Sequence, residues 1–314
     1  MKRIYQLIIL AAAFSLISCN RQPKITRLDT TTSGEAMIVS DDCFSPIINE
    51  EISVFVGVNP EASITPIYTN EVDAINLLLK DSIRLLVAAR NLTTAEYNSI
   101  KSRKLSVRST KIALDGVALI INKQNKDSII SVSTIKKILN GEIRNWNELN
   151  PVSKLGEIKV VFDNPNSSTV RFIKDTILGE DVFSENIRSM ESNRAVLDFV
   201  SSTPNSIGFV GVSWVSNPED STNLTFSDKY RVMSVSAYDD ARVDNSYQPV
   251  PAWIAMYKYP LVRDVYIITS DVRGGLPAGF MHFVAGSSGQ RLIMKSGMVP
   301  ATQPIRLITE KTEN

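Results

Sequence analysis

Three polar stretches of this chain carry side chains able to grip an anion. The first is the corner Asn164, Pro165, Asn166, Ser167, Ser168, Thr169, placed between the apolar run Val160, Val161, Phe162 and a stripe of Val170, Ile173 and Ile177 at helical spacing. The first turn of a helix leaves backbone N–H groups unpaired and carries about half a unit of positive charge. Serine and threonine hydroxyls add donors there, and Arg171 adds a fork of charged ones, so an oxyanion could collect several hydrogen bonds at this point. Ser167 would serve equally well as a plain N-cap. The second stretch, Asp41, Asp42, Cys43, also lies between an apolar run and a helical stripe, which is where open parallel sheets receive ligands. Carboxylates repel a fully ionised anion, yet one of them can accept the proton of a monohydrogen oxyanion. The same acids would equally cap a helix and complement its dipole. The third is Arg90, at the end of an apolar run, where it meets the same cleft or pairs with a surface acid.

Other chemistries find little support. His282 is the one histidine, set in the apolar stretch Phe280, Met281, His282, Phe283, and reads as a packing or capping residue. With two cysteines in all, Cys19 and Cys43, the usual zinc and haem ligand sets cannot be assembled. Neither a metal site nor a cofactor is expected. No nucleophile elbow, phosphate-binding Walker loop, HExxH or dinucleotide fingerprint occurs. A phosphoester hydrolase built on the acidic corner and Arg90 lacks a visible base and nucleophile pair, so the chain is expected not to be an enzyme. The 34 basic residues stand against 33 acidic ones with no basic run, which argues against nucleic-acid binding.

The positions above need a scaffold, and the rest of the sequence supplies one. Ala36 to Val39 reads as a buried strand, and Phe44, Ile47, Ile48, Ile52 and Phe55 as a helix face. Ile64 to Tyr68 and Leu85 to Ala89 read as strands around a helix from Glu71 to Lys80. The run Gly116 to Asn122 predicts another strand, and Ser133 a cap for a helix from Thr134 to Leu139, ended by Gly141. Trp253 to Tyr257 and Tyr266 to Thr269 read as strands, and Gly279 to Lys295 as one helix weakened by Gly286 and Gly289. Strands alternating with helices predict an α/β fold with mostly parallel sheets covered on both faces. At 314 residues and 43% hydrophobic content the chain suits about two domains, or one large one.

The N-terminus reads as export machinery. Lys2 and Arg3 precede an apolar run from Ile4 to Ile17, too short for a membrane span. Leu16, Ile17, Ser18, Cys19 resembles the bacterial lipobox, which implies cleavage after residue 18 and lipid on Cys19. Removing residues 1–18 takes away Lys2 and Arg3 and leaves a chain near neutrality from a starting net charge of +1. Residues 19–33 are polar and threonine-rich and read as a tether.

A wider resemblance joins these readings. Leu114, Asp115, Gly116, Val117, Ala118, Leu119, Ile120, Ile121, Asn122, followed by Ile138, Leu139, Asn140, Gly141, Glu142, Ile143, Arg144, Asn145, Trp146, resembles the middle segment of phosphate-binding proteins of phosphate ABC transporters. Val160 to Phe172 is similar to that family's strand and Ser-Gly-Thr-Arg helix start, with Ser168 in place of glycine. Ser206 to Gly211 is similar to its Ile-Gly-Tyr segment, Ala88 to Glu96 to its loop before a helix, and Ser40 to Pro46 stands in the place of its first serine-rich anion loop. The resemblance implies a type II periplasmic binding protein-like fold, with two α/β lobes and a ligand cleft between them. It divides the chain into residues 34–113 with 253–314 as one lobe and 114–252 as the other. It also implies capture of phosphate or a related tetrahedral oxyanion by a periplasmic, membrane-anchored monomer that serves ABC permease subunits. A non-transport oxyanion sensor or scavenger is the other binding role. Position by position it points to Asp42, Cys43, Arg90, Ser167, Ser168, Thr169 and Arg171. Three segments depart from the family: Asp41, Asp42 and Cys43 replace the serine-rich loop, Arg90 stands near a usual aspartate, and Asp163 replaces a usual arginine. The expectation is that charge has moved between loops, with Asp42 as acceptor and Arg90 as cation.

Overall fold

A computed structural model describes residues 29–217, 219–220, 225–271 and 274–302. The signal segment and Cys19 lie outside the described residues. The chain opens with β1 (Gly34–Asp41), α1 (Ser45–Val58), β2 (Ala62–Thr69), α2 (Glu71–Leu79), β3 (Leu85–Ala88) and α3 (Thr94–Ser102). β1 lies between β2 and β3, parallel to both, the arrangement that helical crossovers impose. Asn70 caps α2 by accepting from the Asp73 amide, and Thr93 with Glu96 forms a capping box at α3.

β4 (Arg108–Asn122) is the long element of the molecule, 15 residues with everything from Ile112 onward buried. β5 (Ile129–Ser131), α4 (Val132–Leu139), the short α5 (Trp146–Leu149), β6 (Lys159–Phe162), α6 (Ser168–Ile173), β7 (Ile187–Ser189), α7 (Asn193–Ser202) and β8 (Ser206–Gly211) follow. β6 lies parallel to both β7 and β8. β9 (Tyr230–Val232), β10 (Ser234–Ser236), β11 (Ser246–Tyr247) and α8 (Pro251–Ala255) lead to β12 (Val262–Thr269), α9 (Leu276–Ala285), α10 (Ser287–Lys295) and β13 (Val299–Pro300).

The main sheet runs β2-β1-β3-β12-β4-β8-β6-β7, with β9 and β13 also on β4. Its outer pairs are parallel as the alternation implies, while the pairs β12 makes with β3 and β4, and β4 makes with β8, are antiparallel. β4 explains this. Its residues up to Gly116 pair with β12, and from Val117 it pairs with β8, so one strand passes from the first half of the sheet to the second. The fold is a two-lobed α/β architecture.

Four local expectations differ from what is observed. Trp253 lies in a short helix rather than a strand, because Pro251 fixes the backbone at its start. The segment from Leu276 to Lys295 is two helices broken at Gly286, whose extended backbone ends one and starts the other. Ser131, not Ser133, caps α4, accepting from the Thr134 amide at 3.0 Å. His282 is exposed, with Nε2 3.3 Å from an Arg108 guanidinium nitrogen.

The segment resembling the family's Asn-Gly-Glu-Ile-Arg-Asn-Trp run is structural. Trp146 is fully buried with its indole N–H on the Asn205 carbonyl at 3.0 Å. Gly141 turns with φ +83°, where any other residue would be strained. An apolar cluster joins both halves, since Phe44, Ile47 and Ile48 from around α1 share it with Val196, Val200 and Val212.

Candidate functional site

The ends of β1 and β6 meet where the two halves of the sheet face each other. Asp41, the last residue of β1, turns its carboxylate onto the following corner, and Oδ1 accepts from the Cys43 amide at 2.9 Å. Oδ2 accepts from the Ser168 amide at 3.0 Å, at the start of α6 in the other half. Ser167 caps α6, its Oγ accepting from the Val170 amide at 3.2 Å while its hydroxyl donates to Asp163 Oδ1 at 2.6 Å.

Beneath this junction lies Arg263. Burial alternates along β12, with Arg263, Val265 and Ile267 turned inward. Opposite it in register on β4 is Asp115, whose Oδ2 accepts from Arg263 Nε at 2.9 Å. Asp115 Oδ1 accepts from the Val212 amide at 3.2 Å. Arg263 Nη1 donates to Ser168 Oγ at 3.1 Å and Thr169 Oγ1 at 3.3 Å, and Nη2 reaches Cys43 Sγ at 3.3 Å. The guanidinium lies over the Phe44 ring, 5.3 Å from its centre. Arg263 is 4% exposed and Asp41, Cys43, Ser168 and Thr169 are fully buried, so each of these contacts is made out of reach of water. A charged hydrogen bond there is stronger than at a surface, and an unmatched charge is costlier.

Acid outnumbers base in this cluster. Burial, then the nearby Asp41 charge, pushes the Asp163 carboxyl up to about 7. Burial also raises Asp115 against the opposing pull of Arg263, and raises the Cys43 thiol. Asp42 reaches the second half at a different helix start: its Oδ2 accepts from the Asn193 amide at 3.1 Å and from the Asn193 side chain at 2.9 Å. The same Asn193 side chain donates to Asp163 Oδ2 at 3.2 Å, which ties the start of α7 into the cluster.

Of the residues singled out from sequence, Cys43, Ser168 and Thr169 are brought together around Arg263, and Ser167, next to Ser168 at the same helix start, bonds to Asp163. Arg90 and Arg171 are not in the cluster. Arg90 holds Glu96 with two bonds of 2.8 Å and lies 3.7 Å from Glu71, while Arg171 grips Glu71 with Nε and Nη2. The bonds from Arg90 hold the Glu96 carboxyl at about 2, well below the usual carboxylate range. Asp41 rather than Asp42 faces the donors of α6. Arg263 and Asp115 carry roles that sequence reading missed. The available signal was an arginine at an inward position of a period-two apolar strand, a place where an unpaired charge cannot stay.

Arg171 joins α6 to α2 across the halves. Its replacement by alanine is expected to lower stability in urea by about 1 to 2 kcal/mol, since Glu71 is buried but keeps Arg90 nearby and Arg171 is partly exposed. An unchanged unfolding midpoint would contradict that role.

A cavity of about 640 Å³ runs beside the junction between α1 and α7, lined by Pro46, Ile47, Glu50, Arg194, Leu197 and Trp214 among others. Among the described residues no helix is long and apolar enough to cross a membrane, and no group of three or more potential metal ligands is gathered.

The PBP superfamily domain matches residues 26–288. The chain belongs to the PBP superfamily. Relatives of this PBP-superfamily chain include the phosphate-binding protein PstS of Borreliella burgdorferi, 25% identical over 311 residues that cover 95% of this chain and 99% of that protein. The phosphate-binding protein PstS of Bacillus subtilis is 23% identical, covering 94% of this chain and 93% of the relative. Among solved structures, a chain from Clostridium perfringens crystallised with bound phosphate superposes with a TM-score of 0.72 at 19% identity, covering 85% of this chain and 100% of that one. An ABC-type phosphate transport receptor from Vibrio cholerae superposes at 0.61 with 18% identity, over 84% and 99% of the two chains. The expected resemblance to phosphate-binding proteins and the two-lobed fold are thus borne out.

Proposed function

We propose that this chain is a substrate-binding lipoprotein of the bacterial cell envelope that captures phosphate, or a similar tetrahedral oxyanion, and delivers it to an ABC permease. The observation that carries the reading is the junction where Arg263 Nη1 reaches the hydroxyls of both Ser168 and Thr169 between the halves of the fold. A guanidinium and hydroxyls gathered at a helix start are donors suited to the several oxygens of an oxyanion. Ligand would be held between residues 34–113 and 253–314, as one lobe, and 114–252, as the other. The crossing of β4 at Gly116 and Val117 supports that division. In this reading Arg263, Ser168 and Thr169 contact the ligand, Ser167 and Cys43 border it, and Asp42 positions α7 through Asn193. Arg90 and Arg171 lock the rim around Glu71. The protein acts by binding alone, as a monomer held to the membrane by lipid on Cys19 after export.

Isothermal titration of protein lacking the lipid tests this. Phosphate is expected to bind one per chain in preference to sulfate, and Arg263→Lys, which keeps the charge but not the fork, to weaken it at least tenfold. No binding of phosphate at millimolar concentration, or equal preference for sulfate, would overturn it.

A further inference from the structure

The seat between the halves is already taken by a carboxylate. Asp41 receives one amide N–H from each half, that of Cys43 at 2.9 Å and that of Ser168, 127 residues away in sequence, at 3.0 Å. Its side chain is fully buried, and the groups around it are the remaining donors of the site. Ser168 Oγ is held by Arg263 Nη1 at 3.1 Å and lies 3.2 Å from Cys43 Sγ. A tetrahedral oxyanion placed between these helix starts would need the same two N–H groups, and would meet the negative charge of Asp41 at contact distance.

We infer that Asp41 is a built-in competitor for the anion seat, which bridges the two halves in the absence of ligand and must leave its two amide donors before phosphate can take them. The inference rests on the phosphate reading for its ligand and stands on its own for the bridge. It gives Asp41 a different task from a ligand-binding residue. Contacts between Asp41 and both halves favour the closed, empty form, so incoming phosphate gains only the difference between its own contacts and those it displaces.

The test measures phosphate binding by isothermal titration, and the radius of gyration by small-angle scattering without ligand, for the intact chain, Asp41→Ser and Asp41→Asn. Serine frees both amides and supplies a hydroxyl, and asparagine removes the charge at nearly constant volume, so that one variant decides if the other fails to fold. Both are expected to bind phosphate at least tenfold more tightly than the unaltered protein and to show a larger radius when empty. Equal or tighter binding by the unaltered protein would overturn the competitor role and leave the phosphate reading standing. Failure of all three forms to bind phosphate would remove that reading, and scattering would then decide the bridge: an unchanged radius in both variants overturns it, and a larger radius upholds it.

Discussion

Replacing Arg263 with alanine is expected to cost about 3 to 5 kcal/mol of folding stability, the range for breaking a buried ion pair by removing one partner. The magnitude follows from what is left behind. Asp115 would be left at 1% exposure with only backbone donors, and the hydroxyls of Ser168 and Thr169 would lose their charged donor. Urea unfolding measures it, and a loss below about 1 kcal/mol would show that the pair is replaceable by water or by relaxation. Combining Arg263→Ala with Asp115→Ala should recover part of the loss, because the double variant strands no carboxylate at this position. If the two single losses simply add, the pair does not act as a unit.

The second large effect concerns Glu51, on the buried side of α1. Neither of its carboxylate oxygens has a hydrogen-bond partner, and Phe44, Ile48, Val87, Ile112, Val265, Val284 and Met298 surround it. Burial pushes its carboxyl up to about 8. An acid raised in the folded state contributes its stability in full below the unfolded value of 4.5 and loses it as pH rises toward about 8. The difference amounts to about 4 to 5 kcal/mol at the alkaline end. Glu51→Leu, similar in size and suited to these neighbours, is therefore expected to raise the melting temperature little at pH 5 and by about 10 °C at pH 9. An equal gain at both pH values would mean that the carboxyl is not titrating in this range. Asp163, raised to about 7, adds to the same alkaline weakening in the unaltered protein, so the variant should flatten the pH profile without abolishing its slope.

How much of this could be read from the sequence differs between scaffold and site. The strands and helices read up to Phe162 follow hydrophobic period and cap chemistry, and the structure places them within a few residues except at β4, which begins at Arg108 rather than Gly116. The strand expected at Trp253 fails because aromatic and branched residues suit strands, whereas the prolines before it suit a helix start. At the site, Ser167 and Ser168 announce themselves by standing at a helix start. Arg263 does not, because its partners Asp115, Ser168 and Cys43 are separated from it by 148, 95 and 220 residues, and local pattern carries no information about such contacts. The choice between Asp41 and Asp42 was equally hidden. Adjacent residues at a strand end point to opposite sides, and only the pairing register decides which of them meets the start of α6. Asp41 is the one paired through β1, and Asp42 is left to the Asn193 side.

β4 belongs to both halves without a break, its pairing passing from β12 to β8 between Gly116 and Val117. Any widening of the molecule must therefore flex a continuous ribbon of backbone rather than swing on a slack tether. Bending a strand whose neighbours remain attached distributes the deformation over several peptide units, so the amides around Ala113 to Ala118 should stay among the slowest to exchange with deuterium even while the halves move apart. The joint of this protein is then one of its most rigid parts in local terms, and its travel is set by the elasticity of the sheet.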